Sequence, residues 1–113
     1  MSTVTIGVAS IEDVSRRTAA AFRGEPQGEF ISFSSVALLW KVMTPRRWEL
    51  VQAMAGKGPM SLRAAARLVS RDVKNVHADV QALTHAGVLH RATDGNIEFP
   101  YDAIHVDFMI QAA

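Results

Sequence analysis

Apolar positions fall in short blocks whose spacing changes along the chain. Val4, Ile6 and Val8 alternate with small residues, which predicts a strand over Thr3–Val8. Ile11, Val14, Ala21 and Phe22 recur on a helical stripe, which predicts a helix over about Ile11–Arg23 with Ser10 as its N-cap. Glu12 and Asp13 in its first turn and Arg23 near its last suit the macrodipole. Gly24-Glu25-Pro26-Gln27-Gly28 reads as a linker, Phe30–Phe33 as a second short strand and Val36–Val42 as a helical segment.

Thr44-Pro45 starts another helix, to about Ala55, because proline at the first helical position loses no hydrogen bond there. Gly56-Lys57-Gly58-Pro59 ends it. Ser61 then caps Leu62–Val69, with Leu62, Ala65, Ala66 and Leu68 as its buried set. A longer helix follows over about 70–86, in which Val73, Val76, Val80 and Leu83 form one face and Gly87 closes the end.

Val88–Arg91 and Ile97–Phe99 flank Asp94-Gly95, the signal of a type I′ hairpin. With a two-residue loop, Arg91 faces Glu98 and Ala92 faces Ile97. After Pro100, Ile104, Val106, Phe108 and Ile110 alternate with polar positions and predict a closing strand. A helix burying Tyr101, Ile104 and Phe108 is the alternative.

Helix, short helix, longer helix and hairpin in that order make an α+β winged helix-turn-helix. One domain is expected over 1–113, divided into a strand-helix-strand extension at 1–35, the winged helix-turn-helix at 36–100 and a C-terminal strand at 101–113. The extra strands are expected to form a small sheet, within one protomer or completed by a second, and a homodimer through the N- and C-terminal segments would match a palindromic operator.

Charge sharpens this picture. The chain carries a net charge of only +1, yet Trp40–Arg91 holds nine of the basic residues and only Glu49, Asp72 and Asp79 of the acidic ones. A basic segment on a nearly neutral whole is the footprint of a localised phosphate-contacting face. A helix can enter the major groove only when its inner face is held by the rest of the fold. The free face of the helix at 70–86 carries Arg71, Lys74, Asn75 and Ala78. With His77, these are the candidate base-contacting residues. The Arg71 guanidinium suits guanine, the Asn75 amide suits adenine, and the small Ala78 permits close approach. Asp72 favours the helix N-terminus or orients a neighbouring arginine.

Candidate phosphate contacts are Arg46 and Arg47 at one helix start, Ser61 and Arg63 at the next, Ser70 at the third, and Arg91 and Asn96 in the hairpin. A Glu98 facing Arg91 would partly neutralise it, which favours the turn backbone and Asn96. There is no cysteine, and His77, His85, His90 and His105 lack metal-ligand spacing with a third ligand. With no phosphate loop, nucleophile elbow or paired acids, neither an enzyme nor a catalytic residue, metal or cofactor is expected. The N-terminus does not read as a signal peptide, and Val36–Trp40 is too short to cross a bilayer, so the expected location is the cytoplasm.

Three stretches carry a resemblance: Leu39-Trp40-Lys41-Val42-Met43-Thr44-Pro45-Arg46-Arg47-Trp48-Glu49-Leu50, then Ser70-Arg71-Asp72-Val73-Lys74-Asn75-Val76-His77-Ala78-Asp79-Val80, then Phe99-Pro100-Tyr101-Asp102. They resemble a family of small prokaryotic winged helix-turn-helix transcriptional regulators, loosely similar to the MarR and ArsR groups. The resemblance covers nearly the whole chain, and Arg-Asp-x-Lys-Asn-Val-His is its most specific piece. It implies sequence-specific binding of double-stranded DNA, and the expected role is that of a repressor. Because some such proteins act as antitoxins, it implies as the alternative a module that neutralises a toxin protein and regulates its own gene.

Overall fold

A computed structural model of the chain describes residues 2–9, 11–24, 28–110 and 112. The cap expected at Ser10 and the linker residues Glu25, Pro26 and Gln27 lie outside the described residues.

Strand β1 (Thr3–Val8), helix α1 (Ile11–Phe22) and strand β2 (Glu29–Phe33) open the chain. Three helices follow closely, α2 (Val36–Val42), α3 (Pro45–Met54) and α4 (Leu62–Leu68), and then the longer α5 (Val73–His85). A hairpin of β3 (His90–Arg91) and β4 (Ile97–Glu98) leads to β5 (Ala103–Asp107). The fold is α+β. Among the described residues no helix is long and apolar enough to cross a membrane.

The three long strands form one sheet in the order β2-β1-β5. Both pairings of β1 are parallel, so Ile6 lies beside Ile31 on one side and Val106 on the other. A parallel neighbour needs a crossover. Here α1 supplies the first, and everything from α2 to β4 supplies the second. Two hydrogen bonds from the Asp102 and Ala103 amides to the Ser2 carbonyl join the start of β5 to the residue before β1, at 2.9 and 3.1 Å.

Alternation sends Val4, Ile6, Ile31 and Phe33 to one face, where all are buried in a core shared with Leu39, Leu50, Met54, Val76, Val80, Leu83, Ile97 and Phe99. The opposite face carries Phe30 and Ser32, which line a cleft with Val14, Arg17 and Ala21 of α1. The Arg17 guanidinium lies 3.7 Å from the centre of the Phe30 ring. The sheet therefore separates α1 from the other four helices. α1 is lightly covered, with Phe22 88% exposed.

Helix ends are set by local chemistry. The Ser35, Thr44 and Ser61 side chains accept the N–H groups of Leu38, Arg47 and Ala64, and Pro45 sits in the first turn of α3. α5 ends in a Schellman motif: the Gly87 amide donates to Thr84 and the Val88 amide to Leu83, with Gly87 at φ +82°. α4 ends the same way, through Ser70 to Arg67 and Arg71 to Ala66, but the left-handed position is held by Ser70 at φ +55°.

Four sequence expectations change. Leu68, expected among the buried residues of α4, is 43% exposed, because it lies off the helix face that Ala65 and Ala66 bury. The helix expected from residue 70 starts at Val73, because residues 70 and 71 are used to close α4, and its N-cap Asp72 makes no side-chain capping bond. β5 stops at Asp107 rather than 110. The hairpin is one residue out of the expected register: His90 faces Glu98 and Arg91 faces Ile97. Its loop has three residues, not two, since the Ala92 amide donates to Asn96 at 2.8 Å and the Gly95 amide to Ala92 at 3.0 Å. A type I′ turn needs positive φ at both central residues, and of Asp94 and Gly95 only Gly95 has it. The Asp94 carboxylate instead accepts the Asn96 amide at 2.9 Å.

Candidate nucleic-acid interface

α5 has two unlike faces. Val76, Val80 and Leu83 have no exposed surface, while Lys74, Asn75, His77, Ala78 and Gln81 are exposed. Valine and leucine at three- and four-residue steps hold the inner face against α3, α4 and the hairpin, so the outer face is presented on a rigid support. On that face an imidazole nitrogen of His77 lies 3.1 Å from the Gln81 amide nitrogen, one turn along. Four of the five residues proposed from sequence as base readers are thus brought together on one surface.

The fifth is not. Arg71 precedes the helix and turns inward. Its guanidinium lies 2.8 Å from one Asp79 carboxylate oxygen, and its side chain is 14% exposed. The other oxygen of Asp79 accepts from Arg47 Nε at 3.0 Å, and Arg47 also donates to the Val42 carbonyl at 2.9 Å. The helix of Asp79, the start of α3 and the turn before α5 are therefore tied at one carboxylate. The contact of Arg71 is close but too bent for a hydrogen bond, and its Nε and one terminal nitrogen are buried without a partner. Asp79, not Asp72, is the residue that orients the arginines. Both Arg47 and Arg71, expected as DNA contacts, are committed to this internal cluster.

The cluster leaves charge in excess, with two guanidinium groups against one carboxylate. Beside it a cleft of about 580 Å³ is lined by Arg63, Ala66, Arg67, Ser70, Arg71 and Val73. Arg63 and Arg67 are exposed, one turn apart on α4. The cleft opens toward the first turn of α5, where free amides point outward, so its electrostatics suit an anion. Arg67, one of the nine basic residues between Trp40 and Arg91, is not among the phosphate contacts expected from sequence, although its four-residue spacing from Arg63 places both on one helix face. Ser61 is used as a cap, through a 3.1 Å bond from the Ala64 amide, but remains exposed.

Arg46 is exposed on α3, next to the inward-turned Arg47. In the hairpin Arg91 is exposed and no longer opposite an acid, whereas the Asn96 side chain is held toward Asp94 at 3.4 Å. This reverses the order of preference between the two. Among the described residues no group of three or more His, Asp or Glu side chains could hold a metal ion.

Neither a curated protein nor a solved structure matches the chain. Residues 42–106, running from the end of α2 into β5 and so including the cluster, the cleft and the whole of α5, match the HVO_A0114 family, and the chain belongs to that family.

Proposed function

We propose that the protein is a sequence-specific DNA-binding transcriptional regulator, a repressor, in which α3, α4, α5 and the β3–β4 hairpin act as a winged helix-turn-helix. The observation that carries this reading is the outer face of α5, whose Lys74, Asn75, His77, Ala78 and Gln81 are exposed, while Val76, Val80 and Leu83 of the inner face have no exposed surface. A supported helix of this kind lies in the major groove, where Asn75 pairs with adenine and Lys74 with guanine. Arg46, Arg63, Arg67 and Arg91 contact phosphates on either side of it. The Arg47–Asp79–Arg71 cluster touches no base. It fixes the angle between α3 and α5.

Selection of bound sequences from random DNA, followed by mobility shifts with Asn75→Ala and Lys74→Ala, tests the reading. Each substitution is expected to relax the preference at one position of the selected site. A folded chain that enriches no sequence would remove the proposal.

A second reading, neutralisation of a partner protein, is favoured by the apolar surface of α1, where Val14 is 44% and Phe22 88% exposed. On that reading Phe22→Ser abolishes neutralisation and leaves DNA binding unchanged.

A further inference from the structure

Among the described residues, the sheet order leaves one edge of β5 without a strand beside it. Open edges recruit strands unless they are blunted; this one has no proline, its one fixed charge is Asp107 at the end of the strand, and Val106 on it is 44% exposed. Just beyond β5, Ile110 is 74% exposed. Under the edge lies a groove of about 430 Å³, lined by Trp48, Gln52, Ala55, Asp102, Ile104 and Val106 among others.

We propose that a second copy of the chain covers this edge, β5 pairing antiparallel with the partner's β5 about a two-fold axis through Val106. The side chains choose this register. In it His105 faces the partner's Asp107 twice, by symmetry, and an imidazole N–H donates to a carboxylate in either protonation state. Moving the axis to Asp107 sets carboxylate against carboxylate, and moving it to His105 leaves both acids opposite alanine. His105 and Asp107 are exposed and have no partner among the described residues. Pairing extends the strand beyond Asp107, where β5 now stops, and in the same register the partner's Ile110 then falls opposite Asp102, over the groove, so each copy completes the other's apolar lining. β2, the opposite edge, carries Glu29 as its sole charge and offers no such pair.

This interface does not depend on the DNA reading, although it would set two copies of α5 about one axis. The test is molar mass by light scattering after size exclusion at micromolar concentration, with circular dichroism as the folding control. The wild type is expected as a dimer. His105→Asp and Ile110→Glu should each weaken it about tenfold or more, because each change occurs twice across the axis. The exchange His105→Asp with Asp107→His should restore the dimer. A monomeric wild type, an undisturbed dimer in His105→Asp, or failure of the exchange to restore it would each overturn the proposal. A monomer that still selects a DNA sequence overturns the dimer alone, and a dimer that selects none overturns only the DNA reading.

Discussion

Arg71 and Asp79 meet at 2.8 Å although the sequence pattern sets Arg71 on the outer face of the helix that Asp79 belongs to. Asp79 holds Arg47 as well, so loss of its charge leaves two cations together in a place that is mostly closed to water. Breaking a buried ion pair from one side costs about 3–5 kcal/mol. With side chains 13–21% exposed, the cost of Asp79→Asn is expected at about 2–3 kcal/mol. Arg71→Met should cost less, since it also removes two buried donors that have no partner. Urea denaturation of both variants checks the order, and a larger loss in Arg71→Met would contradict it.

Phosphate and base contacts separate by their response to salt. Arg63→Ala and Arg67→Ala should weaken every DNA sequence alike and each lower the slope of log affinity against log salt by about 1. Asn75→Ala should leave the slope unchanged and cost about 1–3 kcal/mol of discrimination at one base pair. Arg71→Met should leave the discrimination unchanged, since Arg71 is turned inward to Asp79, and lower the slope by less than either of those changes. Titrations at several salt concentrations distinguish the three patterns.

Ser70 holds a left-handed conformation, φ +55°, in the turn between α4 and α5. That conformation costs an L-residue roughly 1–2 kcal/mol, partly offset in glycine by its greater chain entropy. Ser70→Gly is therefore expected to stabilise the protein by about 0.5–1 kcal/mol. Ser70→Val should destabilise it, because a β-branched side chain fits this region worst. Thermal unfolding of the pair decides the sign.

At Gly7 a methyl group would lie 2.3 Å from the Asp107 carbonyl oxygen, a backbone atom that moves only if β1 and β5 part. Gly7→Ala is expected to cost about 2–3 kcal/mol, the upper range for overpacking a core. Hydrogen exchange should show the loss first in the amides of β1 and β5. Uniform exchange across the chain would count against a local clash.

Tyr101 donates to a Glu29 carboxylate oxygen at 3.4 Å. Burial, and then the neighbouring Glu29 charge, raise its phenol above the ordinary 10.0. In the unfolded chain the phenol ionises first, so stability is retained below pH 10.0 and falls as pH rises from there through the folded value. Tyr101→Phe should flatten that fall in denaturation curves taken at alkaline pH.

The amino-acid sequence by itself determined whatever is settled within a few residues. The periods of two and of 3.6 marked the strands and helices. Thr44, Ser61 and Gly87 marked helix ends, because a cap or a left-handed glycine acts on amides and carbonyls next to it in the chain. The inner face of α5 was legible for the same reason. Tertiary structure alone decided the parallel order β2-β1-β5, since strand neighbours far apart in sequence are selected by the shared core and not by their own pattern. It decided the hairpin register too, where an Asp94 carboxylate and a bridge from Met60 to Ile97 outweigh the Asp-Gly turn preference. It also decided the fate of Arg71. Helical spacing says which way a residue inside the helix points, but residue 71 lies just before α5, and a long guanidinium there goes to the nearest half-buried carboxylate, which folding alone brings within reach.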